Sequence, residues 1–132
     1  MSGETSLQQL LKTLQPILYA GKYVFCVVDE LSLINQQDIL FFFKEQEGIT
    51  IVLQKEKAAS YHLSYSFIAS WITLTIHSSL EAVGLTAAFS TALSNEGISC
   101  NVVAAFYHDH IFVDKKHAES AMMILHRFST SV

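Results

Sequence analysis

The chain has 132 residues, of which 51% are hydrophobic and 15% are charged, and its formal net charge is −4. This size suits one ordinary domain or two very small ones that share a core, and the apolar content excludes a disordered chain. The scarcity of basic residues argues against a nucleic-acid partner, because binding a phosphate backbone requires a basic surface. Few charges beside much apolar surface predict a homo-oligomer, in which a second copy covers part of that surface.

The cellular compartment is indicated by the N-terminus and the cysteines. Residues 1–4 lack the basic and apolar segments of a secretory signal. The longest apolar runs, such as Tyr23–Val28, have the length of a strand, so we expect no membrane partner. Cys26 and Cys100 each lie in a strand-like apolar run, which favours reduced core thiols over a disulfide. Together these observations predict a cytoplasmic protein.

The first half of the chain has weaker patterns than the second. Leucines at positions 7, 10, 11 and 14 predict a helix capped by Thr5 or Ser6 and ended by Pro16. The elements expected after it are a strand at Tyr23–Val28, a polar connection at 29–38, a hairpin with strands at Ile39–Lys44 and 49–53, and a short helix at 55–63. Residues 41–43, three phenylalanines, also suit a helix.

The second half opens on a strand at 68–77, whose alternation places Ile72 on one face and Trp71, Thr73 and Thr75 on the other. A loop of small residues then leads into a helix whose apolar stripe runs from Leu85 to Leu93 and which Gly97 ends. The remaining elements expected are a strand at 98–106, a reversal at 107–110, a strand at 111–113 and a last helix capped by Asp114.

This order of elements predicts an α+β fold. Strand, helix, strand, strand, helix is the order of the split βαβ of ferredoxin-like folds, in which helices cover one face of an antiparallel sheet. We therefore expect two ferredoxin-like halves, at residues 1–65 and 66–132. The open face of the second half would bring Trp71, Thr73 and Thr75 into contact with the other half or with a second subunit.

Several stretches of sequence resemble a known family. Residues 71–88 (WITLTIHSSLEAVGLTAA), 97–104 (GISCNVVA) and 107–113 (YHDHIFV) closely resemble a bacterial family of small ACT-domain proteins. Residues 21–25 (GKYVF) and 45–50 (EQEGIT) resemble the more divergent partner domain of the same family. The second half is also similar to the ACT repeats of aspartate kinases and of the arginine-sensing tandem-ACT proteins of animals. The two ferredoxin-like halves are thus identified as tandem ACT units.

The resemblance implies a regulatory module that binds a small molecule, usually an amino acid in this family, and has no catalytic activity. In ACT domains the ligand commonly lies against the loop after the first strand, the start of the following helix and the start of the second strand. In this sequence that region includes Ser78, Ser79, Glu81, Val83, Gly84, Leu85 and Asn101. Asp109 resembles the aspartate that contacts the ligand's amino group in the arginine sensors.

The residue types support a site here independently. Small residues at Ser78, Ser79 and Gly84 let a ligand approach the backbone, and free amides at a helix start favour a carboxylate. Asp109 supplies the opposite charge for an ammonium group, and the amide of Asn101 can both donate and accept. The plain structural alternative is that Gly84 starts a helix, Asp109 makes a turn and Asn101 lies on a solvated face.

Other functions find less support. His108, Asp109 and His110 suggest metal ligands, but in an extended segment the histidines point to one face and the aspartate to the other, so we expect neither a metal nor a cofactor. Ser78, His108 and Asp109 contain the residue types of a hydrolase triad, and Cys100 is a possible nucleophile, yet no nucleophile elbow is present. A protein-interaction module that binds no ligand stays open as an alternative.

Overall fold

The computed structural model describes residues 3–76 and 84–130, with side chains from Leu7 onward. The four helices of these residues are α1 (Gly3–Leu11), α2 (Lys55–Ser60), α3 (Leu85–Ser94) and α4 (Ala118–Thr130). The seven strands are β1 (Gln15–Leu18), β2 (Tyr23–Val28), β3 (Ile39–Lys44), β4 (Ile49–Gln54), β5 (Ile68–Thr75), β6 (Asn101–Ala104) and β7 (Asp109–Asp114). The predicted α+β class is confirmed.

The chain forms two compact units that do not follow one another in sequence. The inserted unit is Ala20–Ser70, and the terminal unit combines Met1–Tyr19 with Trp71–Val132. The sequence-based division at 65/66 grouped residues 1–19 with the first half. In the structure these residues belong with the second half, because β1 pairs with β5 there.

In the inserted unit, β4 lies between β2 and β3 and is antiparallel to both. The first residues of β5 close this sheet, since Tyr23 pairs with Ala69 and Val24 with Ile68. The predicted hairpin of β3 and β4 is confirmed, and the helix after it ends at Ser60. The polar connection between β2 and β3 contains two short 3₁₀ turns, Leu31–Leu33 and Gln36–Asp38. The core of this unit consists of Val24, Cys26, Val28, Ile34, Ile51, Leu53 and Ala58.

In the terminal unit, β5 lies between β1 and β7, and β6 pairs with β7 at the far edge. The sequence predicts three strands for the second half, and β1 adds a fourth from the start of the chain. Pro16, expected to end a helix, pairs with Leu74 inside β1. Proline is tolerated in an edge strand because its missing N–H need not enter a ladder. The core contains Leu14, Ile72, Leu74, Phe89, Leu93, Ile98, Ile111, Val113, Ala121, Ile124 and Leu125.

Local signals explain the ends of α3 and the start of α4. Gly97 adopts a left-handed φ of +77°, and the amide of Ile98 donates to the carbonyl of Leu93 at 3.0 Å. Asp114 accepts a bond of 3.0 Å from the amide of Lys116, one short 3₁₀ turn before α4. The strand expected at 98–106 is shorter, because a turn closed by Ala105 N–H to the carbonyl of His108 ends β6 at Ala104.

We expect Leu14→Ala to lower the free energy of unfolding by about 2–5 kcal/mol, since it leaves a cavity in the core of the terminal unit, where Leu14 is only 2% exposed. Leu18→Ala, at the 38% exposed end of β1, is the matched control and should cost less than about 1 kcal/mol. Urea denaturation of the three proteins measures both values. Equal small losses would show that β1 does not complete this core.

Candidate functional site

Four of the eight site residues predicted from the sequence, Ser78, Ser79, Glu81 and Val83, lie outside the described residues. The other four, Gly84, Leu85, Asn101 and Asp109, belong to the terminal unit. Their positions determine what each can contribute to a ligand.

Gly84 precedes α3 in a left-handed conformation, with φ of +91°. A Cβ at this position would lie 3.1 Å from Cδ2 of Leu7, so glycine suits both the backbone angle and the available space. The first helical bond runs from Ala88 N–H to the carbonyl of Gly84, at 2.9 Å. The amides before Ala88 therefore have no acceptor within the helix, as a carboxylate-binding helix start requires. The Leu85 side chain is buried, so this residue can offer a ligand only its amide.

Asn101 and Asp109 lie in the same hairpin but on different faces. The register pairs Asn101 with Phe112 and Ala104 with Asp109, and side chains alternate along each strand. Asp109 thus shares the face of the core residue Ile111, whereas Asn101 shares the face of Phe112. The Asn101 amide Nδ2 also donates to the carbonyl of Phe112 at 3.1 Å. The structure does not bring these two side chains into one pocket.

A polar and aromatic cluster lies on the face of this sheet that carries Phe112, opposite the core residue Ile111. The indole Nε1 of Trp71 donates to Nδ1 of His110 at 3.1 Å, and the hydroxyl of Thr73 lies 2.9 Å from the same nitrogen. The ring of Tyr19 stacks on Trp71 at a centroid distance of 3.8 Å, and the amide of Tyr19 donates to the carbonyl of Trp71. We call Tyr19, Trp71, Thr73 and His110 the sheet-face cluster. Trp71 and Thr73 were predicted from the sequence to share a face of the sheet. Their hydrogen-bond partner His110 was not predicted.

His110 is held in its neutral form by these contacts. Because an indole N–H can only donate, Nδ1 of His110 must be an unprotonated acceptor. Burial lowers the pKa of His110, nearby His108 lowers it further, and Asp109 acts in the opposite direction. The rings of His108 and His110 lie 6.3 Å apart, on the face opposite Asp109 as predicted, and Nδ1 of His108 is buried without a hydrogen-bond partner.

The inserted unit contains a second group of polar side chains, which the sequence analysis missed. The hydroxyl of Tyr61 donates to Oδ2 of Asp38 at 2.6 Å, and Nζ of Lys57 lies 3.4 Å from Oδ1. The Tyr61 hydrogen bond and the charge of Lys57 lower the pKa of Asp38. The only local signal was the spacing of Lys57 and Tyr61, four residues apart on the short helix expected at 55–63.

Cavities of the inserted unit lie beside this group. One of about 270 Å³ is lined by Tyr23, Gln37, Asp38, Ile39, Leu40, Gln54 and Lys57. Another of about 360 Å³ is lined by Leu31, Gln36, Ile39, Leu40, Phe41 and Phe42. Both therefore lie where the connection after β2 meets the start of β3. In the smaller cavity, the charged Asp38 and Lys57 together with the apolar Ile39 and Leu40 suit a small amphipathic ligand.

The cysteines lack the properties of nucleophiles. Burial raises the pKa of Cys100 to about 11 and also raises the pKa of Cys26. Both thiols are therefore protonated at neutral pH, whereas nucleophilic cysteines react as thiolates. Within residues 3–76 and 84–130, no three histidine, cysteine or acidic side chains are grouped to hold a metal ion. No helix in the same residues is long and apolar enough to cross a bilayer.

The chain is similar to several solved structures. A Vibrio cholerae protein of unknown function, described as a possible transport protein, is 50% identical over 97% of this chain and 99% of its own, with a TM-score of 0.90. The aspartate kinase of Clostridium acetobutylicum, an allosteric enzyme, is 10% identical over 90% of this chain and 34% of its own, with a TM-score of 0.66. The regulatory subunit of Thermus thermophilus aspartate kinase is 8% identical over 86% of this chain and 97% of its own, with a TM-score of 0.64.

The family is identified by family models that match the sequence, not by a curated relative. No curated protein matches the chain. Two family models do match it, both of them the ACT domain, one over residues 2–70 and the other over residues 66–127. Because these two models together span nearly the whole sequence, the chain belongs to the ACT-domain family of ligand-binding regulatory modules.

Proposed function

We propose that this protein is an amino-acid-binding regulatory module that catalyses no reaction and acts in the cytoplasm as a homo-oligomer. The observation that carries the proposal is the presence of two ACT units in one chain. The regulatory parts of amino-acid-pathway kinases share this fold over most of the chain, which is consistent with an amino acid as the ligand class.

The terminal unit offers the first candidate site. A zwitterionic ligand would place its carboxylate on the free amides that follow Gly84, and residues 78–83 would complete the loop around it. Asp109 would meet the ammonium group. Asn101, on the opposite face of the hairpin from Asp109, would contribute only where a second copy of the chain meets this one.

The inserted unit offers the second candidate site. Asp38 and Lys57 present opposite charges 3.4 Å apart at the wall of the cavity of about 270 Å³. An amino acid can replace this ion pair by offering its own ammonium to Asp38 and its carboxylate to Lys57. Exposed ion pairs contribute little stability, so exchanging one costs little. Ile39 and Leu40 would then contact the apolar part of the ligand.

Exposed apolar residues favour an interaction module as the second candidate function. Val27 is 65% exposed, Phe43 66% and Phe106 76%, so these side chains are available for contact with a partner. They also support the proposed homo-oligomer. A hydrolase that uses Cys100 has less support, because burial raises the pKa of this thiol to about 11 and keeps it protonated at neutral pH.

We expect one or a few free amino acids, added at millimolar concentration, to raise the melting temperature. A ligand that binds only the folded protein stabilises it by RT ln(1 + [L]/Kd), about 2.7 kcal/mol when its concentration is about 100 times Kd. Differential scanning fluorimetry with a panel of amino acids measures the shift. Absence of any shift, together with a stable oligomer in light scattering, would favour the interaction module.

For an amino acid that binds, Asp109→Asn should weaken affinity roughly tenfold to a hundredfold, the usual effect of losing a charge-assisted hydrogen bond. Asp38→Asn should leave affinity unchanged if the ligand binds the terminal unit. Glu119→Gln, at an exposed carboxylate in the first turn of α4, is the matched charge control. Isothermal titration calorimetry of the four proteins gives the affinities. The reverse pattern would assign the ligand to the inserted unit.

A further inference from the structure

The sheet-face cluster surrounds the only tryptophan of the chain, Trp71. Tyr19 is the last residue of the terminal unit before the insertion, and Trp71 is the first residue after it. The two residues are joined by ring stacking at 3.8 Å and by a backbone hydrogen bond of 3.0 Å. The point where the chain leaves the terminal unit is therefore fastened to the point where it returns.

His110 anchors this pair through a single nitrogen. Nδ1 of His110 carries one lone pair, which faces the Trp71 indole at 3.1 Å and the Thr73 hydroxyl at 2.9 Å. When a proton binds Nδ1, this atom becomes a donor. The hydroxyl of Thr73 can reverse its role and accept from the imidazolium. The indole N–H of Trp71 cannot accept, so it faces another donor and loses its hydrogen bond to His110.

We propose that His110 is a proton-operated latch on Trp71: the neutral imidazole holds the indole through Nδ1, and the protonated ring releases it while keeping Thr73. The latch acts on the paired residues Tyr19 and Trp71 at the two ends of the insertion. It depends on neither the identity nor the position of the proposed amino-acid ligand.

The groups that face His110 determine the pH at which it is protonated and the latch opens. In the turn before β7 this is His108, whose charge opposes protonation of His110, and on β7 it is Asp109, whose charge favours it. β5 contributes Trp71 and Thr73, neither of which titrates in the relevant range, and β6 places the uncharged Val103 opposite His110. The phenol of Tyr19 reaches the cluster through Trp71.

Burial and the neighbouring His108 give His110 a lowered pKa in the folded protein. The folded state therefore prefers the neutral ring, and its pH dependence has a definite sign. The stabilisation is fully present above the ordinary histidine value of 6.5 and is lost as the pH falls through the lowered pKa. The latch is therefore closed at neutral pH and opens as the pH falls through this lowered pKa.

Nuclear magnetic resonance of the full ¹⁵N-labelled chain tests the latch directly, because one tryptophan gives one indole N–H signal. Between about pH 8 and the pH at which the protein begins to unfold in acid, we expect this signal to move upfield and to exchange faster with water, as a lost hydrogen bond requires. In His110→Asn, whose side-chain oxygen replaces Nδ1 as an acceptor without titrating, the signal should stay at its neutral-pH position. His108→Asn, the neighbouring histidine on the same face, is the control that should still titrate.

An indole signal that does not move over this pH range in the native protein would overturn the proposal. So would a titration that persists in His110→Asn and disappears in His108→Asn. Trp71→Phe provides a second test that needs no change at His110. Losing the indole donor removes a bond made only to the neutral ring, so the titration midpoint of His110, read from its Cε1 proton, should shift upward. An unchanged midpoint would show that Trp71 does not sense the proton.

Discussion

The antiparallel pairing of Gln15–Leu18 with Ile72–Thr75 is the constraint on which the rest of the structure depends. Within the part of the chain that the structure describes, the sheet of the terminal unit has four strands, and three of them lie in the second half of the sequence. The fourth strand, β1, comes from the start of the chain, so residues 20–70 form an insertion between β1 and the rest of this unit. Both units then obtain a closing strand, because β5 begins in the inserted unit and ends in the terminal one.

The same pairing explains where the sheet-face cluster forms. The register that sets Ile17 opposite Thr73 continues to Tyr19 beside Trp71, and period-two alternation sends these side chains to the face away from the core. β7, the other neighbour of β5, contributes His110 to that face. A shift of one residue in the β1 register would exchange Leu14, now buried, with a polar neighbour and dismantle the core and the cluster together.

Local sequence patterns predicted many of the helices and strands. The features that they missed depend on contacts between residues far apart in the sequence. Three elements were predicted correctly because their signal lies within the segment itself. These signals are the continuous apolar run at Tyr23–Val28, the alternation from Ile68 and the apolar stripe from Leu85 to Leu93. Pro16 was misassigned because a proline signals the end of a helix locally, whereas its role here depends on a strand nearly 60 residues away. The bond between Trp71 and His110 spans 39 residues, and no spacing rule could have found it.

Three polar groups that the sequence made candidates for chemistry or for ligand binding are already engaged within the fold. The thiol of Cys100 is protonated, Nδ1 of His110 accepts from the indole of Trp71, and the amide of Asn101 bonds a strand carbonyl. Charges that face a cavity remain at Asp38 and Lys57, and the helix start after Gly84 keeps amides that the helix does not use. Breaking a bond requires a nucleophile or a base in a reactive state, whereas holding a zwitterion requires only opposite charges at a fixed separation. Among the described residues, Asp38 with Lys57 and the amides after Gly84 supply what holding a zwitterion requires, which supports a binding role.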